Sequence, residues 1–272
     1  MNYRHAFHAG NFADCMKHAL LVWLLGALQR KPAGVFVLDT HAGAGRYILE
    51  GPAERTGEWR AGIARLMEHT PAPLAPYVAL VERLGLYPGS PALLRALLRS
   101  DDRLACCELH PEEHAMLRRL FAHDRQVAVH ARDGYAAIGA LLPPPVLRRA
   151  LLLTDPPFER PDEFTALAAA MATAARRMPG AVHAAWYPIK GRAPVRAFHD
   201  AVRAAGLRDV VAAELWLREP TDAARLNGCG LLVRNPPFGF ADAAPPLLDA
   251  LLERLGHDEA GAGTALMRIA DE

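Results

Sequence analysis

Cysteine is scarce in this sequence: four residues among 272, at Cys15, Cys106, Cys107 and Cys229. No two of them have the C-x-x-C spacing of a zinc or redox centre, which excludes both. Cys106 and Cys107 are neighbours in an apolar run and read as buried thiols of a strand; a reduced, cytoplasmic setting is the expectation. An excess of charge of either sign is also missing. Lys and Arg total 31 against 30 Asp and Glu, so the chain is no bulk polycation, and any contact with nucleic acid must come from a local patch. The apolar stretch Ala19–Leu28 is too short to cross a bilayer. Asp14 precedes it and no small-residue cleavage site follows, so it reads as a core helix rather than a targeting segment. The glycine turn His41-Ala-Gly-Ala-Gly45 lacks the third glycine of the dinucleotide fingerprint, because Ile48 fills that position. This argues against NAD. His5, His8, Asp14 and His18 crowd the beginning of the chain, but no two of these histidines are four residues apart; no metal site is expected.

What is present is alternation. Helical spacing over Asn11–Arg30 ends at Pro32 and Gly34. The apolar run Val35–Leu38 meets Asp39 and the glycine turn, the opening of a nucleotide-binding α/β unit. Leu49–Pro91 lacks a clear strand and carries Pro71, Pro73 and Pro76; it reads as a helical insert after the first strand. The remainder, 1–48 with 92–272, reads as the core. Beyond Pro91 the spacing predicts helices over Leu93–Arg99, Pro111–Ala122, Tyr135–Leu142, Phe164–Arg177 and Val195–Ala205. Strands are predicted over Arg103–Glu108, Val127–Ala131, Ala150–Thr154, Ala181–Trp186, Val210–Leu217 and Gly230–Val233. Repeated strand–helix units imply an α/β fold with a mostly parallel, doubly wound sheet.

Several residues in this frame carry chemistry. Gly43 and Gly45 let a ligand approach the backbone closely. Glu108, at the end of the second strand, is placed to accept hydrogen bonds from ribose hydroxyls. Asp133 follows the third strand, where it either meets the amine of a bound adenine or caps a helix. Asp155-Pro156-Pro157-Phe158 ends the fourth strand and matches the D-P-P-aromatic motif of amino-methyltransferases. The lone pair of an adenine amine is delocalised into the ring, so the amine is a poor nucleophile. A carboxylate (Asp155) and a carbonyl (Pro156) that accept its two N–H bonds favour a pyramidal nitrogen. The prolines hold that backbone, and Phe158 is placed to stack on a flipped base, worth roughly 1–3 kcal/mol. Asn235-Pro-Pro-Phe238 looks alike but follows the last apolar strand, and it reads as a loop leaving the sheet. Arg4, Lys17, Arg55, Arg60 and Arg65 are candidate phosphate contacts, and Tyr3 to His18 reads as a lid over cofactor and base.

Taken in order, Tyr3 to His18, Asp39 to Tyr47, Glu54 to Gly57, Tyr87 to Pro91, Glu108 to Pro111 and Asp155 to Phe158 resemble the RlmJ family of 23S ribosomal RNA adenine-N6 methyltransferases. The resemblance runs over nearly the whole chain. It implies a Rossmann-like core with a helical subdomain after the first strand, S-adenosyl-L-methionine as cofactor and 23S ribosomal RNA as partner. It implies that His18, His41, Ser90, Glu108, Asp133, Gly134 and Asp155 line the cofactor site. It makes Asp155 the proton acceptor and sets Tyr3 near the RNA. One departure stands out: the family motif usually ends in tyrosine, where this chain has Phe158, so stacking is kept and a phenolic hydrogen bond is lost. A monomer without membrane attachment is expected. The rival readings are another amino-methyltransferase, acting on guanine N2 or DNA adenine, and a non-catalytic RNA-binding module on the same fold.

Overall fold

In the computed structural model, residues 5–256 and 259–272 are described. Tyr3 and Arg4 lie outside them. After a short 3-10 turn at His5–Phe7, α1 runs over Phe12–Gln29 and β1 over Phe36–Asp39. The segment that follows is bracketed by two short strands, β2 (Arg46–Tyr47) and β3 (Tyr87–Pro88), which pair antiparallel. Between them lie α2 (Pro52–Thr56), α3 (Glu58–Ala61), α4 (Ile63–Glu68) and α5 (Ala75–Leu84). The stretch read as strandless therefore closes on a two-residue ladder at its base. Proline in β3 hides that ladder from any pattern-based reading.

The chain then alternates: α6 (Ser90–Leu97), β4 (Arg103–Cys107), α7 (Pro111–Leu120), β5 (Val127–His130), α8 (Gly134–Leu141), β6 (Ala150–Thr154), α9 (Glu163–Arg177), β7 (Val182–Ile189) and α10 (Arg192–Ala204). It ends with β8 (Val210–Trp216), β9 (Gly228–Arg234), α11 (Phe240–Leu255) and β10 (Gly263–Ala270). One eight-stranded sheet results, in the order β10-β8-β9-β7-β6-β1-β4-β5. The pairs from β5 across to β7 are parallel, whereas β9, β8 and β10 add antiparallel. Sequence reading found neither α11, with Pro245 and Pro246 inside it, nor β10, whose polar Arg268 interrupts an edge strand.

Helices cover both faces, and successive strand residues point to opposite sides. Val37, Cys106, Leu151 and Leu153 pack with α1 and α11 on one face. Leu38, Cys107 and Leu152 pack with α8 and α9 on the other. Both cysteines of β4 are fully buried, as their setting predicted, and all four cysteines are free. Ala19–Leu28 lies within α1, and no described helix is long and apolar enough to cross a membrane.

The amino ends of the strands are tied by one buried carboxylate. Asp102 accepts from the Val35 N–H (2.8 Å), the Arg99 N–H (2.9 Å) and Gln29 Nε2 (2.9 Å). The Arg99 side chain pairs with it and also donates to the carbonyls of Gln29, Lys31 and Ala33. Burial alone would raise the Asp102 carboxyl, but these donors outweigh it and hold the group at about 2. The stabilisation is complete above the unfolded value of about 3.9 and is lost as pH falls through about 2. Asp102→Ala strands a buried Val35 N–H and frees Arg99. We expect it to cost about 3 kcal/mol at neutral pH, read by urea unfolding, with the deficit shrinking below pH 3.

Candidate active site

The strand order reverses direction at β1: β4 lies on one side and β6 on the other. Ligands of doubly wound sheets bind in the crevice that opens at such a point, outside the carboxyl ends of the strands. Asp39, Glu108 and Asp155 end β1, β4 and β6 or follow them by one residue, so the topology gathers three acids there.

The glycine turn is built around them. Gly43 and Gly45 both have positive φ, +60° and +80°, a region that costs glycine least. A Cβ on Gly43 would lie 2.3 Å from the Tyr47 hydroxyl, which accepts the Ala44 N–H. Glu108 reaches across from β4 and accepts the Gly43 N–H (2.8 Å) through one oxygen and the His110 N–H (2.7 Å) through the other. It thus holds the turn, and each oxygen keeps a second lone pair. Asp133 caps α8, its Oδ1 accepting the Ala136 N–H (2.8 Å). Gly134 brings that helix against the turn: a Cβ there would sit 2.2 Å from the Thr40 carbonyl oxygen and 2.8 Å from the His41 ring.

His41 is neutral, lowered to about 4 chiefly by burial. Thr40 Oγ1 donates to the Leu153 carbonyl (3.0 Å), which leaves it to accept from His41 Nδ1 (2.8 Å). This network assigns the tautomer and makes His41 Nε2 an acceptor. The His41 ring meets Tyr135 edge-on, and Tyr135 donates to the buried Glu163 (2.7 Å) at the head of α9. Ser90 donates to Asp39 (2.6 Å). Asp39 is fully buried, and burial raises its carboxyl to about 7 against the opposing Ser90 hydrogen bond.

Asp155 is set by a residue that sequence reading assigned elsewhere. Lys17 was expected to face phosphate; instead its side chain is 6% exposed and Nζ lies 2.5 Å from Asp155 Oδ2 and 2.9 Å from Asp14 Oδ1. Burial opposes the charge on Lys17, but the two carboxylates outweigh it, and the ammonium is held well above its usual range. No sequence signal marks this pair, because 138 residues separate its members. His18 was expected at the cofactor. It is wholly buried, and its Nδ1 meets the Tyr87 hydroxyl (3.2 Å), which in turn meets Tyr77. Below Asp155, Thr154 Oγ1 meets His183 Nε2 (2.9 Å).

Phe158 adopts φ +49°, strained for an aromatic residue and worth about 1–3 kcal/mol. Its ring packs edge-on to Phe164 (4.9 Å) and Trp186 (5.9 Å), which offsets that strain and fixes its direction. The look-alike Asn235-Pro-Pro-Phe238 is at the other end of the sheet. It follows β9, which runs antiparallel to β7 and ends opposite His183 at the amino end. Asn235 donates to the carbonyls of Pro179 and Ala181, and Phe238 is 95% exposed. Among the other candidates, Arg55 is exposed, Arg60 pairs with Glu54 and lies over Trp59, and Arg65 is half-buried. Tyr3 and Arg4 fall outside the described residues.

The crevice at the strand reversal, lined by a glycine turn and strand-end acids, defines the class: a Rossmann-like methyltransferase. The family model for ribosomal RNA large subunit methyltransferase D, RlmJ, matches residues 32–267, and the chain belongs to that family. It is 36% identical to ribosomal RNA large subunit methyltransferase J of Haemophilus influenzae over 97% of both chains. It is 40% identical to the Escherichia coli protein of the same name over 88% of both. A crystal structure from Legionella pneumophila superposes with a TM-score of 0.86 at 33% identity, covering 96% of this chain and 97% of that one.

Asp39 generates a stability prediction. Its folded value near 7 lies above the unfolded value of about 3.9, so the folded state binds the extra proton and stability falls as pH rises from about 4 to 7. Asp39→Asn should flatten that slope and leave the protein more stable than wild type at pH 8, as denaturant melts across pH would show. An unchanged slope would place the titration elsewhere.

Proposed function

We propose that the protein transfers a methyl group from S-adenosyl-L-methionine to N6 of an adenine in 23S ribosomal RNA. The observation that carries this reading is the Asp155-Pro156-Pro157-Phe158 turn at the carboxyl end of β6, held by the Lys17 ion pair and edged by Phe164 and Trp186. Both curated relatives bear the name of a large-subunit ribosomal RNA methyltransferase, which supports the same substrate class.

The residues at the crevice fit the cofactor. Asp39, Glu108, Asp133 and Asp155, with the neutral His41 acceptor, form a set of acceptors suited to a cationic ligand rich in hydroxyl and amine donors. The Gly134 approach to Thr40 leaves no room for a side chain between the turn and α8. In our reading Glu108 takes the ribose hydroxyls, Asp133 the adenine amine, and the Gly43–Gly45 turn, His41 and Ser90–Asp39 the rest. When bound, the cofactor supplies an electrophilic methyl group.

The chain's own residues prepare the nucleophile. Lys17 engages Oδ2 of Asp155, so the other oxygen is left for an N–H of the target amine. The Pro156 carbonyl accepts the second N–H. Two acceptors on one nitrogen draw it out of conjugation and aim its lone pair, and alignment of this kind supplies much of the rate. Phe158 stacks on the flipped base and helps offset an unstacking cost of a few kcal/mol. The proton released when N6 gains the methyl group passes to Asp155. Residues 49–91 form the insert that meets the RNA backbone, with Arg55 and Arg60 among its exposed cations.

The test is methyl incorporation from labelled cofactor into protein-free 23S RNA, with digestion and mass identification of the product base. We expect N6-methyladenine from wild type and a loss of at least a hundredfold for Asp155→Ala. Activity at subsaturating RNA should also fall with added salt, with a log–log slope of about −0.7 per phosphate contact on single strands. A methylated guanine, or transfer that survives Asp155→Ala, would overturn the assignment.

A further inference from the structure

The Glu54-Arg-Thr-Gly57 motif and its neighbour Glu58 have no role in the site described above, yet they grip the start of α1. Thr56 Oγ1 donates to the Phe7 carbonyl (2.5 Å). Glu58 Oε1 meets His8 Nδ1 (2.9 Å) and Oε2 accepts from Asn11 Nδ2 (2.9 Å). The Ile63 N–H donates to the Gly10 carbonyl (2.9 Å), and Gly62 is where a Cβ would sit 2.0 Å from that same oxygen. Gly57, at φ +65°, turns the chain between α2 and α3 so that Thr56 and Glu58 both face residues 7–11. Backbone, hydroxyl and carboxylate contacts therefore bind the insert to the entry of α1.

From Glu58 an unbroken line of hydrogen bonds leads to the catalytic carboxylate. Glu58 offers only acceptors, which turns the Asn11 amide nitrogen toward it and leaves Asn11 Oδ1 to accept the Asp14 N–H (3.0 Å) as the cap of α1. Asp14 accepts the Gly10 N–H (3.0 Å) through Oδ2 and pairs through Oδ1 with Lys17 Nζ (2.9 Å). Lys17 meets Asp155 at 2.5 Å. Each link is fixed by donor–acceptor complementarity; the two inner links, Asn11–Asp14 and Asp14–Lys17, are buried, and the links at either end are half-buried. His8 is raised from its usual range first by the Glu58 hydrogen bond, so the outer end of the line is also an ion pair when His8 is protonated.

We propose that Glu58 is a positioning residue for methyl transfer: acting through Asn11, Asp14 and Lys17, it sets the ammonium that orients Asp155 and so couples RNA seated on the insert to the geometry of the catalytic carboxylate. This rests on the reading of Asp155 as the residue that receives the adenine amine. RNA that binds so as to pull the insert away from residues 7–11 loosens Lys17 from Asp155, and such RNA is held but methylated slowly. The coupling adds discrimination that insert contacts alone do not supply.

Glu58 is 37% exposed at its side chain, so its replacement removes the link without opening the core. The experiment measures kcat and KM for RNA with wild type, Glu58→Ala, Glu58→Gln and Asp155→Ala, each normalised to the fraction that binds cofactor at one equivalent. We expect Glu58→Ala to lower kcat about tenfold with KM for RNA within twofold. Glu58→Gln, whose amide oxygen still accepts from Asn11, should recover kcat to within threefold of wild type. Equal kcat for wild type and Glu58→Ala would overturn the proposal, as would a loss confined to KM or a Gln variant no better than Ala. Transfer by wild type that is lost in Asp155→Ala keeps the functional reading separate from this result. Absence of transfer by wild type would overturn that reading, and the coupling with it.

Discussion

The arrangement depends on the contact between Lys17 and Asp155. An ammonium and a carboxylate meet where water is nearly excluded, with Asp14 as a second carboxylate on the same nitrogen. Burying these charges is costly, and only close pairing with satisfied neighbours makes it tolerable. The neighbours are supplied: Asp14 accepts a backbone N–H, and Asn11 caps the helix that carries Lys17. The same contact pins α1 to the carboxyl end of β6. Helix register, glycine turn and the Asp155–Phe158 turn are thereby brought into one frame rather than three.

The sheet topology decides what that frame can hold. Because β1 lies between β4 and β6, the connections that leave the carboxyl ends of these strands diverge and leave a crevice edged by acids. Running β9 antiparallel beside β7 has a separate effect: it carries the look-alike N-P-P-F turn to the far end of the sheet. Two nearly identical tetrapeptides are thus sorted by strand direction alone. Only one of them has an ammonium on its first residue and aromatic rings around its last. The wild-type Phe158, in place of tyrosine, keeps those ring contacts, which involve no hydroxyl.

Much of this was legible in the sequence, and the parts that were not share a physical cause. The parallel strands read clearly because both their faces are buried and their apolar runs are continuous, as in Ala150–Thr154. Glu108, Asp133 and Asp155 were legible because each stands at a strand end or a helix start, where local pattern carries position, whereas Gly134 came only with the family resemblance. Lys17 was misplaced because a lysine in an amphipathic helix is ordinarily solvated, and only the tertiary fold brings it to Asp155. The contact of His18 with Tyr87 was not legible for the same reason, since the two stand far apart in the chain. The β2–β3 ladder, α11 and β10 escaped notice because proline or charge disguises their pattern. The grip of Glu58 on the start of α1 left no trace in spacing at all.

The most direct measurement of the central claim is the methyl-transfer rate of Lys17→Met at saturating cofactor and RNA, beside the dissociation constants of both ligands. If the ammonium orients Asp155, the rate falls about a hundredfold while both constants stay within a few-fold of wild type. A variant that transfers methyl groups at the wild-type rate, or one that fails only because it no longer binds RNA, would contradict the account.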